Sequence, residues 1–154
     1  MNLRNITTFL FLGAAIAVRL PAAPQPGLNV VITGNDSMKF SVVRIDAQPG
    51  QIIHLEFRNE GTLPKQVMGH NWVLLKLPGA AAAAAYAAVA ISAQKEDYEP
   101  KSLADEVLAS VPLLGPKQSG EVTFTAPAAP GHYSYFCSFP GHYQVGMKGE
   151  LVVK

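Results

Sequence analysis

The sequence predicts an all-β fold, a Greek-key sandwich of short strands carrying one helical insertion. Three observations lead there. Branched and aromatic residues gather in short runs at positions 28–33, 38–45, 51–57, 73–77, 120–126, 132–136 and 149–153. Turn-forming residues separate them, as in Gly34-Asn35-Asp36, Gln48-Pro49-Gly50, Asn59-Glu60-Gly61 and Ala128-Ala129-Pro130-Gly131. Many short strands punctuated in this way read as an antiparallel sandwich. The third observation is the exception: residues 80–90 are alanine except for Tyr86 and Val89.

Each element has its own reason. Residues 28–33 are rich in branched apolar side chains, and 38–45 alternate loosely around Val42 and Val43. The run 51–57 carries Ile52, Ile53, Leu55 and Phe57, whereas 120–126 alternates strictly about Val122 and Phe124. Tyr133, Tyr135 and Phe136 mark 132–136. Alanine is the best helix former, and Pro78-Gly79 sets a boundary, so 80–90 is expected to be helical. Tyr86 and Val89, three apart, are expected to share its inner face. No internal repeat or second domain is visible.

The first 23 residues read as a secretory signal peptide, leaving one domain over 24–154. Arg4 precedes an uncharged apolar run at 6–18, and small residues follow at Ala22 and Ala23. This is the three-part plan of an export signal, and the run is shorter than the ~20 residues that cross a bilayer. The expected location is the periplasm, without stable membrane insertion after cleavage. The whole chain has 12 basic and 11 acidic residues. Losing Arg4 and Arg19 leaves 10 against 11, a net charge of −1. No basic block is present, so nucleic acid is not an expected partner. Cys137 is the only cysteine, so no internal disulfide can form. A lone thiol in an oxidising compartment needs something to hold it, and a metal ion would.

The segment after Phe136 supplies that chemistry. Cys137, His142 and Met147 stand in the pattern Cys-x4-His-x4-Met. They put a thiolate, an imidazole and a thioether on one loop. Two imidazoles and a thiolate with a weak methionine form an electron-transfer copper site. Zinc takes four short ligands and rarely uses methionine. The second imidazole must come from His54, His70 or His132. His132 lies an odd offset from Cys137 on the expected strand, and His54 lies opposite Ile53 and Leu55. His70 sits just before a strand, where a ligand would be presented, and is the preferred donor.

Three segments then show a resemblance. Gly34-Asn35-Asp36-Ser37-Met38, the stretch from Leu63 through Gly69-His70-Asn71 to Leu74, and Phe136-Cys137-Ser138-Phe139-Pro140-Gly141-His142 resemble the azurins, blue-copper proteins of the cupredoxin superfamily. The resemblance spans 28–154. It implies that His70, Cys137 and His142 are the strong copper ligands and that Met147 is the weak axial one. It implies that the Gly69 carbonyl approaches the copper, and that Asn71 and Ser138 tie the ligand loops together. Met38, Met68, Phe139 and Pro140 match the apolar surface through which azurins dock. One copper per chain, a monomer, and transient redox partners such as cytochromes or reductases follow from it. An edge of His142 is expected at the surface. Two departures stand out. The azurin disulfide has no counterpart near Leu28 and Gly50. Four residues, not three, separate His142 from Met147, as in plastocyanins and auracyanins. Enzymatic activity is not expected, because a second copper would need histidines that the chain lacks; a copper carrier would use more exposed soft ligands.

Overall fold

The computed structural model describes residues 26–154; the expected signal segment lies outside them. Eight strands form two sheets. The strands are β1 (Leu28–Gly34), β2 (Arg44–Ala47), β3 (Ile52–Asn59), β4 (His70–Pro78), β5 (Val107–Leu114), β6 (Ser119–Thr125), β7 (Gly131–Phe136) and β8 (Lys148–Val153). One sheet has the order β1-β3-β6 and the other β2-β8-β7-β4-β5. The pairing is mixed, where the sequence reading expects an antiparallel sandwich. β1 runs parallel to β3 and β2 parallel to β8, while the remaining pairs are antiparallel.

The sheets enclose Ile32, Ile53, Leu55, Phe57, Trp72, Leu74, Tyr135 and Leu151. In β3 the alternation is plain: Ile53, Leu55 and Phe57 face inward, and His54 and Arg58 face out. In β4 both faces are buried over the first six residues. Trp72 and Leu74 face the other sheet, and Val73 and Leu75 lie beneath helix α2 (Ala80–Ala90). The helix forms where expected, but Val89 is 45% exposed. Its inner face is Ala83, Tyr86, Ala87 and Ala90, the i, i+3, i+4, i+7 stripe. Small side chains let α2 lie close to the sheet while Tyr86 fills the gap against Phe136.

Two elements differ from the sequence reading. The expected strand at 38–45 shortens to β2, preceded by an isolated bridge from Phe40 to Gly34. Met38 adopts a left-handed φ of 54°, which breaks the extended run. β5 is not foreseen in the sequence at all. It contains Pro112, which argues against a central strand, and it lies at the sheet edge, where proline is tolerated. A four-residue helix, α1 (Lys65–Met68), leads into β4.

Candidate metal centre

Two ends of the fold meet at the site. β4 opens on His70, which pairs with Leu114 and is followed by a bulge. Gly69 before it is buried. A Cβ at Gly69 would stand 2.6 Å from the Lys65 carbonyl oxygen and 3.0 Å from Leu113, so only glycine lets the chain enter here. On the other side, Cys137 directly follows β7. Its amide donates to the Met147 carbonyl (3.0 Å), one step beyond the Phe136–Lys148 pair. Between them the loop bonds to itself: His142 to the Phe139 carbonyl (3.1 Å), Val145 to Gly141 (3.2 Å) and Met147 to His142 (2.9 Å). Gly141 and Gly146 take positive φ values of 85° and 94°, which supply the reversals. The loop can therefore hold three donors with little freedom of its own.

The donor atoms converge. The Nδ1 atoms of His70 and His142 lie 3.2 Å apart. Cys137 Sγ lies 3.4 Å from His142 Nδ1 and 4.0 Å from His70 Nδ1. His70, Cys137 and His142 form the one group of three or more metal-binding side chains of the Cys, His, Asp and Glu types among the described residues, and all three are buried. Met147 is fully buried on the same loop. It packs so closely on β1 that a Cβ at Gly34 would meet its Cε at 2.7 Å.

Without a metal the arrangement is unfavourable. Burial pushes the Cys137 thiol up to about 12, opposed by the Asn71 and Phe139 amides. Burial first, and then the neighbouring His70, lowers His142 to about 4. His70 is lowered by burial, while Asp36 and the Asn35 backbone pull it back. Its Nε2 is buried and makes no hydrogen bond of ordinary geometry. A dry pocket that suppresses the charges of two imidazoles and raises a thiol gains from a cation, which deprotonates a coordinating thiol. Bonds of about 2.0–2.1 Å to nitrogen and about 2.3 Å to sulfur would set donor separations of roughly 3.3–3.8 Å, and the observed edges of 3.2, 3.4 and 4.0 Å straddle that range.

The surroundings fix the donors. Asn71 Nδ2 donates to Ser138 Oγ (2.7 Å), and the Ser138 amide donates to Asn71 Oδ1 (2.8 Å). Ser138 Oγ donates onward to the Tyr98 carbonyl (2.6 Å), a connection with no signal in the sequence. Phe139 lies between His142 (4.7 Å, tilted) and Tyr98 (5.0 Å, edge-on) and is 8% exposed. His142 is 2% exposed, so its expected surface edge is covered. Met38, Met68 and Pro140 are half-buried. Leu63, Val67 of α1 and Val145 of the ligand loop are 41%, 61% and 48% exposed, and nothing in the sequence marks them. The two rejected histidines lie elsewhere and are exposed: His54 bonds Thr123 Oγ1 (2.9 Å) and His132 meets Glu150 (2.9 Å).

The model of one family, described as copper binding proteins of the plastocyanin/azurin family, matches residues 27–154. The chain belongs to this family. Copper is accordingly the metal of the donor set. Among relatives in the family, the azurin of Pseudomonas fluorescens biotype A is 34% identical over 132 residues, covering 82% of this chain and 98% of that one. Auracyanin-B of Chloroflexus aurantiacus is 37% identical over 118 residues, 77% of this chain; the chain spans about half the length of that relative, 48%. The solved structure of reduced auracyanin from Roseiflexus castenholzii superposes with a TM-score of 0.74 at 32% identity, covering 84% of this chain and 99% of that one. The plastocyanin/azurin assignment agrees with the sandwich and its helical insertion.

Proposed function

We propose that this chain carries single electrons between redox proteins in an exported compartment, using one copper held by His70, Cys137 and His142, with Met147 as a weak axial donor and the Gly69 carbonyl nearby. The observation that supports it most is the convergence of two imidazole nitrogens and one thiol sulfur in a pocket without water-facing groups. Bound there, copper supplies a reversible Cu(I)/Cu(II) couple. The protein's part is to keep the donors still. The loop's internal hydrogen bonds and the Asn71–Ser138 pair hold the same geometry for either oxidation state, which keeps reorganisation small. Burial of the thiol and both rings excludes water and competing reactions.

Docking falls to the surface around this end. Met38, Met68 and Pro140 contribute with Phe139 beneath, and the exposed Leu63, Val67 and Val145 extend the apolar area. A small apolar contact suits cytochromes or reductases that must leave quickly. The chain would work in the periplasm after removal of residues 1–23, as a monomer.

The experiment is direct. Copper-loaded protein should show an intense visible band, a single copper per chain and reversible one-electron redox chemistry. Cys137→Ser should remove the band, because the colour arises from thiolate-to-copper charge transfer. A colourless copper adduct of the unaltered protein would overturn the reading.

A further inference from the structure

We infer that Tyr98 is a positioning residue for the metal centre: it holds Ser138 through its carbonyl and Phe139 through its ring, and so keeps the Cys137–His142 loop in the form that binds copper. This rests on the ligand reading above. Tyr98 belongs to neither sheet. It lies in the segment between α2 and β5. Two consecutive residues there take left-handed φ values, Asp97 at 51° and Tyr98 at 62°. Such values are uncommon away from glycine, and for a bulky side chain they are an outlier that persists only when its surroundings hold it. Part of the hold is local. One helical turn, Gln94–Glu96, ends here. The Tyr98 amide donates to the Ala93 carbonyl (3.0 Å) and the Asp97 amide to the Gln94 carbonyl (3.2 Å). These are the bonds of a common helix-ending motif whose left-handed residue is usually glycine. Aspartate stands there instead, and its carboxylate meets Lys65 of α1 at 2.9 Å. That ion pair is half-exposed and contributes little by itself. It does place the turn against the helix that leads to His70.

From this turn Tyr98 reaches the ligand loop twice. Its carbonyl accepts from Ser138 Oγ (2.6 Å), 40 positions along the chain. A hydroxyl has one proton to give. With that proton on the Tyr98 carbonyl, Ser138 Oγ can only accept from Asn71 Nδ2 (2.7 Å), and Asn71 Oδ1 is left to accept from the Ser138 amide (2.8 Å). The Tyr98 carbonyl therefore sets the sense of every bond joining the residue after His70 to the residue after Cys137. The Tyr98 ring makes the second contact. It meets Phe139 edge-on at 5.0 Å, and Phe139 lies tilted against His142 at 4.7 Å. Tyr98 and Phe139 are both buried, so water does not compete at the edge-to-face contact. Neither contact touches the metal. Both act on the two residues that follow Cys137, and outer partners of this kind hold ligands in their orientation.

Tyr98→Ala removes the ring and frees the turn that presents the carbonyl, whereas Tyr98→Phe keeps both. The readouts are copper affinity, by competition with a chelator, and the thermal midpoint of the copper-free protein, with affinity measured well below that midpoint. Tyr98→Ala should weaken copper binding by about 10–100-fold, the usual loss when an outer partner of a ligand is removed. Tyr98→Phe should bind copper as the unaltered protein does. Phe139→Leu tests the route. In that background Tyr98→Ala should cost little further affinity, because residues in one line of contacts are not additive. A lowered copper-free midpoint with unchanged affinity in Tyr98→Ala would make Tyr98 a packing residue and overturn the inference. A full further loss in the double variant, or an equal loss in Tyr98→Phe, would overturn it too. With the blue band intact, each of these outcomes leaves the ligand reading standing; absence of the band in the unaltered protein would sink both. If Tyr98→Ala does not fold, Tyr98→Leu keeps the bulk without the aromatic edge and takes its place. Failure of both to fold would assign Tyr98 to the structure alone and end the inference.

Discussion

Met147 stands at the junction of packing and chemistry. It is fully buried against Gly34, and its amide closes the ligand loop on His142. As the axial donor proposed above it would be weak, so its effect would fall on the energy of the site and little on its colour. Met147→Leu fills similar volume and removes the sulfur. The blue band should persist and the potential should rise, because a donor that favours Cu(II) is lost; a redox titration beside the visible spectrum checks both. An unchanged potential would remove Met147 from the ligand set. The four side chains could be read in the sequence because soft donors at Cys-x4-His-x4-Met spacing have few other uses, and because His54 and His132 fall on the wrong faces. Tyr98 could not. Its contact with Ser138 reaches 40 positions along the chain, and a backbone carbonyl leaves no pattern.

The helix α2 shows what an element can hide. Its sequence announces a helix, yet eleven residues of near-uniform alanine carry no face to read. Packing selects the face through Tyr86, which is fully buried against Phe136. The Tyr86 hydroxyl has no hydrogen-bond partner among the described residues. Burial first, and then Glu99 and Glu106, hold the phenol firmly neutral. A buried hydroxyl without a partner carries a desolvation cost of about 1–3 kcal/mol. Tyr86→Phe keeps the ring and removes that cost, so it should stabilise the fold by about 1 kcal/mol or more in denaturant unfolding; a loss of similar size would reveal a bound water or a partner for the oxygen. β5 went unread for the opposite reason. Pro112 speaks against a strand, and only its place at the sheet edge makes it acceptable.

Across the whole molecule the site makes stability depend on pH. In the copper-free protein His142 is held at about 4 and His70 is also lowered, against an ordinary value of 6.5. The unfolded chain therefore takes up protons first as pH falls. Stability from the buried neutral His142 ring is fully present above pH 6.5 and declines toward pH 4, by up to about 1.4 kcal/mol per pH unit, and the lowered His70 acts in the same direction. Asp36, Asp46 and Glu56, held below their usual ranges, add a separate loss in more acid solution. Thermal midpoints between pH 4 and 6.5 should fall steeply for the copper-free protein and far less with copper, which competes with the protons. A flat copper-free profile would contradict the burial of the two rings. The two-layer fold was legible because alternation and turns are local. Its parallel pairings β1–β3 and β2–β8 were not, since they join strands through connections that alternation does not encode.

The 67 positions between His70 and Cys137 have one more consequence. The chain has one cysteine and can tie no covalent loop within itself. A metal shared by these two residues would close a loop of that length in the folded state only. In a chain-entropy picture a cross-link over such a loop removes about 4 kcal/mol of freedom from the unfolded ensemble. The ion would then serve as the molecule's only staple.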